Sequence, residues 1–287
     1  MDSFIITTDT TSDLPEQYLK EHHIDIIPLY YVLDGIHYGG EHNLTPEDFY
    51  NKMKNGLMPT TNACNPEDVK SLFMKYIKQG KAILHIAFSS GLSSSYSNAV
   101  LAVNELKESY PDAVIYVIDS LCASLGEGLL VHKAVSLRDK GTSIEETVQW
   151  LEENKLHLCH NFTVNDLFHL HRGGRVSKTT AILGTLVNVK PILHVDDEGH
   201  LIPLFNVRGR KKSLHALVDR MAEQIEGYEN DIVFISHGDS YEDAQYVGNL
   251  VKKRFGIENI LIHYVSPTIG AHSGPGTIAL FFMGEKR

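Results

Sequence analysis

Short, nearly continuous apolar runs alternate with amphipathic stretches through the first half of the chain. Phe4–Thr8, Leu84–Phe88 and Ala113–Ile118 lack the alternation of a half-exposed strand, which predicts strands covered on both faces, as in a parallel sheet flanked by helices. Each run breaks into a polar turn and then a helical pattern. Thr45–Pro46–Glu47–Asp48 and Asn65–Pro66–Glu67–Asp68 each carry an N-cap residue, a first-turn proline and early acids, and so open helices, the first running to about Asn55. In the second, Val69, Leu72, Phe73, Tyr76 and Ile77 share one face, and Gly80 ends it. Tyr96–Glu108 and Leu121–Val135 read as crossover helices, and Ser143–Ile144–Glu145–Glu146 is a capping box for a helix to about Lys155. Ile24–Leu33 is β-rich, and Asp34–Gly35 followed by Ile36–Tyr38 predicts a hairpin that projects as an arm.

The pattern changes near residue 157. His157–Val164, Lys190–Val195 and Leu201–Val207, the last two joined by Asp197–Glu198–Gly199, predict antiparallel or mixed pairing. Helical patterns follow over Val176–Leu186, from the Arg208–Lys212 stretch to about Glu226, and over Tyr241–Phe255. Asp231–His237, Asn259–Val265 and Thr277–Phe282 supply further strands, with Ile269–Gly276 read as a glycine-dense loop. The expectation is an α/β protein of two domains, 1–157 with a parallel sheet and 158–287 with a mixed sheet, which suits a chain of 287 residues.

Ligands on parallel sheets bind beyond the carboxyl ends of the strands. That rule gathers the turns Asp9–Ser12, Ser89–Ser93 and Asp119–Ser120 along one edge. In Ser89–Ser90–Gly91–Leu92–Ser93–Ser94–Ser95, a strand-to-helix turn, free first-turn amides and several hydroxyls suit an anion near Ser93, although capping alone explains many such clusters. Pro59–Cys64, too short and polar for an element, reads as a ligand-contacting loop.

Composition narrows the classes. A formal net charge of −10 without long basic runs argues against nucleic acid or an anionic membrane surface as the main partner. No apolar run reaches the ~18 residues of a membrane span, and the N-terminus lacks a signal-peptide pattern. Three scattered cysteines, Cys64, Cys122 and Cys159, show no disulfide framework, which points to a reducing cytoplasm. His157, Cys159, His160, His169 and His171 crowd one span but match no zinc spacing, so neither a metal nor a cofactor is expected. The densest basic spot, Arg208, Arg210, Lys211 and Lys212, is either a solvated helix start or a dock for an acidic partner.

Five motifs occur in order: Thr8–Pro15, Ser89–Ser93, Arg172–Gly173–Gly174–Arg175, Asn188–Leu193 and Ile269–Gly276. Together they resemble the DegV family of bacterial fatty-acid-binding proteins nearly end to end. The resemblance implies one long-chain fatty acid, such as palmitate, in a tunnel between two domains, and a role in lipid transport or in presenting the acyl carboxylate to a fatty acid kinase in fatty acid metabolism. It implies that Thr61 and Ser93 hold the carboxylate, with Arg172 and His272 near the head group. The family pattern Thr-Ser-Gln-Pro-Ser-Pro is replaced here by Thr61–Asn62–Ala63–Cys64–Asn65–Pro66, and Ser94 stands where glycine is frequent. The competing expectation is an enzyme, a hydrolase or acyl transferase with Ser93 or Ser120 as nucleophile, His272 as base and Asp9 as acid, although no G-x-S-x-G elbow is present.

Overall fold

The computed structural model describes residues 4–165, 167–177 and 188–287 of the chain. Most of the helical pattern expected over Val176–Leu186 lies outside the described residues. β1 (Ile5–Asp9) is followed by α1 (Glu16–Glu21) and β2 (Asp25–Ile27). β3 (Tyr30–Leu33) and β4 (Ile36–Tyr38) form the expected hairpin, with Asp34 and Gly35 both at positive φ in its two-residue turn. α2 (Pro46–Lys54), β5 (Thr60–Asn62), α3 (Pro66–Ile77), β6 (Ile83–Ala87), α4 (Ser95–Ser109) and β7 (Ile115–Asp119) come next. The parallel sheet has the order β2-β1-β6-β7, and its registers bring the carboxyl ends of β1, β6 and β7 to one edge.

The β-rich stretch Ile24–Leu33 divides into two strands: Pro28 supplies no N–H and the Leu29 amide turns to Thr10 Oγ1 at 3.0 Å, so β2 joins the parallel sheet while β3 starts another. Another stretch corrects an expectation. Pro59–Cys64 is not all loop: Thr60–Asn62 pairs with β3 and completes a three-stranded sheet. The hairpin edge gives these polar residues backbone partners that their own sequence does not advertise.

α5 (Leu125–Asp139) and α6 (Ile144–Asn154) precede β8 (Leu158–Thr163), the first strand of a six-stranded mixed sheet. The helix expected from Leu121 begins later because Leu121 and Ser124 sit at φ 51° and 57°. α7 (Phe168–Arg172), β9 (Val189–Val195), β10 (Leu201–Arg208), α8 (Arg210–Gln224), β11 (Val233–His237), α9 (Tyr241–Phe255), β12 (Ile260–Tyr264), α10 (Pro267–Ser273) and β13 (Ile278–Met283) follow, with sheet order β10-β9-β8-β13-β11-β12. The glycine-dense stretch is therefore partly helical: Pro267 occupies the first helical turn, and Gly270 lets Tyr50 approach, since a Cβ there would lie 2.5 Å from its Oη.

The layers run from α3 and α4, through the parallel sheet, to α5, the mixed sheet, and finally α8 and α9. The side chains of α5, among them Leu129, Leu130 and Val131, join a single buried cluster with Ile6 and Ile86 of one sheet and Phe234 and Phe281 of the other. Two further clusters close the outer faces, and a fourth seats Phe49 and Tyr50 of α2 against Val265 and Ala271. The arm thus packs on α10, bringing β5 beside a helix more than 200 positions later in the chain.

Candidate functional site

At the carboxyl edge of the parallel sheet the two halves enclose a cavity of about 320 Å³. One side consists of Thr61 and Ala63 from β5 and its exit, Phe88, Leu92, Ser93 and Ser94 from the turn after β6, and Ala123 and Ser124 ahead of α5. The other has His160 and Phe162 of β8, Ala279 and Phe281 of β13, Val195, Leu201, Arg175, and Ile269 and His272 of α10. Thr61, Ser93 and His272 come from β5, the serine turn and α10, Thr11, Ser124 and Thr277 add further hydroxyls, and β8 and β13 contribute Phe162, Ala279 and Phe281.

Thr61 Oγ1 lies 2.7 Å from His272 Nε2. Burial, with Arg175 and Arg172 nearby, pushes the His272 imidazole down to about 4, so it is neutral at physiological pH. Its Nδ1 is buried without a partner, and Gly173 leaves room for the ring: a Cβ there would lie 2.0 Å from Nδ1. With Nδ1 unpartnered, the favoured tautomer carries its proton on Nε2 and donates it to Thr61, leaving the threonine O–H to point elsewhere. Ser93 Oγ accepts from the Ser95 amide at 3.2 Å and lies 3.0 Å from Ser95 Oγ, which itself accepts from the Cys64 amide. Capping and cavity lining therefore coexist in one residue.

The arginines divide differently from the sequence expectation. Arg172 donates to the Pro59 carbonyl and to the Ala271 carbonyl, both at 2.9 Å, and so ties the β5 approach to α10; it is not among the cavity-lining residues. Arg175, which sequence reasoning left outside the site, does line the cavity, while donating to Leu92 O at 3.1 and 2.9 Å and to Gly173 O. Its membership in Arg-Gly-Gly-Arg was the available signal. Both guanidiniums are occupied with backbone carbonyls.

Behind the wall sit buried acids. Asp9 accepts from the Phe88 amide at 2.9 Å, and its other oxygen is 3.7 Å from His85 Nε2. Burial raises Asp9 to about 7 and lowers His85 to about 3. Glu127 accepts from Thr8 and Thr11 at 2.8 and 2.9 Å, and Asp13 from Ser124, with Asp13 also raised by burial to about 7. Neither Glu127 nor Asp13 was foreseen as part of this framework.

The triad of the competing expectation is not assembled. His272 Nε2 is on Thr61, Ser120 Oγ accepts from the Cys122 amide at 3.1 Å, and Asp9 lies beside His85. The crowded histidines also separate: His157 faces the Gly284 and Glu285 carbonyls, Cys159 the Lys286 carbonyl, and His160 the Leu158 carbonyl. Among the described residues, the cluster with metal-like spacing is instead Asp196, Glu198 and His200 on the β9–β10 turn, with ligand atoms within 4.8 Å of one another. Arg208 ends β10, Arg210 pairs with Asp243 at 2.8 Å, and Lys211 and Lys212 are exposed at the start of α8, away from the cavity. No described helix is long and apolar enough to cross a membrane.

The sequence model described as "Uncharacterised protein, DegV family" matches residues 3–285. The chain belongs to the DegV family. A DegV domain-containing protein of Clostridium perfringens is 42% identical over 289 aligned positions, covering 100% of this chain and 99% of the relative. Among solved structures, a DegV family protein from Thermus thermophilus described for its fatty acid binding superposes with a TM-score of 0.88 at 28% identity, covering 98% of this chain and 99% of that one. A stearic acid-binding protein from Eubacterium ventriosum gives a TM-score of 0.88 at 25% identity, with 98% of each chain covered. The α/β architecture, with its parallel and mixed sheets, is thus that of DegV structures.

Proposed function

We propose that this DegV protein binds one long-chain fatty acid, such as palmitate, in a tunnel between domains 1–157 and 158–287, and performs no covalent chemistry alone. The observation that carries this reading is a cavity with a largely apolar lining whose polar groups include Ser93 and the Thr61–His272 pair, 2.7 Å apart. A carboxylate taken out of water needs hydrogen bonds, and the Thr61 and Ser93 hydroxyls are its donors in this reading. His272 orients Thr61, and Arg172 holds the two elements that carry them in place. The fatty acid binding described for the Thermus thermophilus and Eubacterium ventriosum relatives supports the same ligand class.

The role that follows is a cytoplasmic carrier in fatty acid metabolism, for lipid transport or for presenting the acyl carboxylate to a fatty acid kinase. Neutral hydroxyl donors favour release more than a free bidentate arginine would. Arg208, Arg210, Lys211 and Lys212 are the proposed contact for an acidic face of such a partner.

The deciding experiment is native mass spectrometry of the purified protein with fatty-acid identification after organic extraction, repeated on the Thr61→Ala/Ser93→Ala variant. One stoichiometric fatty acid, depleted in the variant, is expected. Wild-type occupancy and kinase turnover in the variant would refute the carboxylate assignment, and a wild-type protein that takes up no fatty acid would refute the function. For the basic spot, charge reversal at Arg210 and Lys211 is expected to weaken kinase coupling at physiological salt; unchanged coupling removes the docking assignment.

A further inference from the structure

Three buried carboxyl groups, Asp9, Asp13 and Glu127, stand directly behind the cavity wall supplied by the first half of the chain. Each is hydrogen-bonded to a residue that lines the cavity: Asp9 accepts from the Phe88 amide at 2.9 Å, Asp13 from the Ser124 hydroxyl, and Glu127 from the Thr11 hydroxyl at 2.9 Å. The one ion-pair contact that any of them makes among the described residues is that of Asp9 with His85, 3.7 Å away and kept neutral by burial.

The hydrogen bonds place a proton in this cluster. Thr8 has one hydroxyl hydrogen, yet its Oγ1 stands 2.8 Å from both the Ile86 carbonyl and Glu127 Oε1. A carbonyl only accepts, so both contacts are hydrogen bonds at once only when Glu127 supplies a proton of its own. Burial, reinforced by the neighbouring Asp9 and Asp13, pushes Glu127 well above the ordinary carboxylate range in agreement with that arrangement. Asp9 and Asp13, each raised by burial to about 7, are then the acids that exchange protons near neutral pH. Asp9 Oδ1 is buried without a partner, so its ionised form carries charge on an oxygen that nothing stabilises. Around these acids, Asp9 faces His85 of β6, Glu127 of α5 and the Cys64 thiol, and Glu127 also faces Cys122. Asp13 faces Glu127, Tyr50 of α2 and His263 of β12, whose Nδ1 donates to the Asp13 carbonyl at 2.9 Å. Burial pushes both histidines down and both thiols and the tyrosine up, so these five stay neutral near pH 7.

We propose that binding of a fatty-acid anion is coupled to uptake of a proton by the Asp9 and Asp13 carboxyls, so that anion and proton enter as a pair. This rests on the fatty-acid reading above and adds a second, simultaneous ligand to it. A carboxylate in the cavity is a like charge on the far side of one layer of wall. At a separation of about 10 Å and an effective dielectric constant of about 20, such a charge favours the protonated form of a neighbouring acid about tenfold. An acid that is half protonated beforehand then gains about half a proton. By linkage, affinity for the anion falls as pH rises through the range in which these acids ionise.

The test is calorimetric titration of laurate into the delipidated full chain at pH 7, in phosphate and in Tris, whose different heats of ionisation reveal the protons exchanged. Dodecanol serves as the uncharged ligand. Uptake of about half a proton or more per laurate and none per dodecanol is expected, with laurate affinity falling about tenfold between pH 6 and 8. These wild-type titrations decide the coupling without any variant. In Asp9→Asn/Asp13→Asn the uptake falls to near zero and the affinity becomes independent of pH over that interval. No uptake with laurate, or equal uptake with dodecanol, overturns the coupling while leaving the fatty-acid reading intact. Uptake that persists in the folded double variant puts the proton on the ligand carboxyl or on His272 and overturns the assignment to these acids. Failure to bind laurate, dodecanol and palmitate overturns the fatty-acid reading itself.

Discussion

Gly173→Ala tests the head-group geometry through a single methyl group. Gly173 follows α7 at φ −75°, an ordinary helical value, so the backbone accepts alanine without strain. By itself that substitution stabilises by about 0.4–1 kcal/mol through the unfolded chain. The new Cβ, however, would lie 2.0 Å from His272 Nδ1, 2.9 Å from Cε1 and 3.1 Å from Cγ. These are ring atoms of a side chain whose other nitrogen is held 2.7 Å from Thr61, so the imidazole must swing away from the hydroxyl. Overpacking of this kind costs about 1–3 kcal/mol, which exceeds the entropic gain.

The expected result is a net loss of about 1–2 kcal/mol in stability. Fatty-acid affinity falls about tenfold or more, because a carboxylate loses a hydrogen bond whose donor is no longer oriented. Urea denaturation gives the first quantity and calorimetric titration of palmitate into delipidated protein gives the second. A double variant, Gly173→Ala with His272→Ala, removes the clash and regains stability but not affinity. Unchanged stability and affinity in the single variant would refute the argument that His272 is wedged between Gly173 and Thr61.

Thr61→Val keeps the shape of the side chain and removes its hydroxyl, so palmitate affinity is expected to fall about tenfold by the same titration, and an unchanged value would place the carboxylate elsewhere. Asp9→Asn tests the buried acid: burial raises its folded pKa to about 7, above the ordinary carboxylate value of 3.8, so the native state binds the extra proton and the wild type loses stability as pH rises from about 4 to about 7. The stability advantage of Asp9→Asn should therefore grow across that window and level off above it, whereas a pH-independent difference in denaturation between pH 5 and 8 contradicts the assignment. Histidines lowered to about 3 at His85 and about 4 at His237 act oppositely, contributing stability above their unfolded values that is lost as pH falls from about 6.5 toward those values. Ser89→Ala removes the 2.9 Å bond to the Gly199 carbonyl that joins the serine turn to the β9–β10 turn, with an expected cost of about 1 kcal/mol in denaturation; no loss would mean that packing alone holds this junction.

Local signals carried most of the elements. The capping box at Ser143 and Glu146, the proline-opened helices at Pro46 and Pro66, and the Asp34–Gly35 hairpin all form, because each depends on residues within a turn of one another. Errors arose where the deciding partner is distant. Thr60–Asn62 becomes a strand through β3, and Pro267–Ser273 is a helix whose Gly270 answers to Tyr50, more than 200 residues earlier. The site follows the same division. The serine turn was legible as an anion-binding candidate, whereas the pairing of Thr61 with His272 depended on the family resemblance, since their separation of 211 positions leaves no local trace. Asp13 reads only as part of a cap-rich turn and Glu127 as a helix residue, and nothing in their neighbourhoods marks either as a buried acid behind a cavity wall.

In the proposed function, a division of labour between the acyl tail and its carboxylate explains why both arginines face backbone. Burying about 14 methylenes at ~0.8 kcal/mol each contributes on the order of 11 kcal/mol before ordering costs, so the tail alone suffices for tight binding. A free guanidinium on the carboxylate would add a strong charge-assisted bidentate grip where affinity is already ample and would slow release. Here Arg172 and Arg175 spend donors on Pro59, Ala271, Leu92 and Gly173, fixing the segments that carry Thr61, Ser93 and His272. Burial, with their positive charge beside it, holds His272 neutral, and in the proposed function that charge attracts the carboxylate from a distance while the contacts are left to hydroxyls. Such an end suits a group that must be both held and handed on.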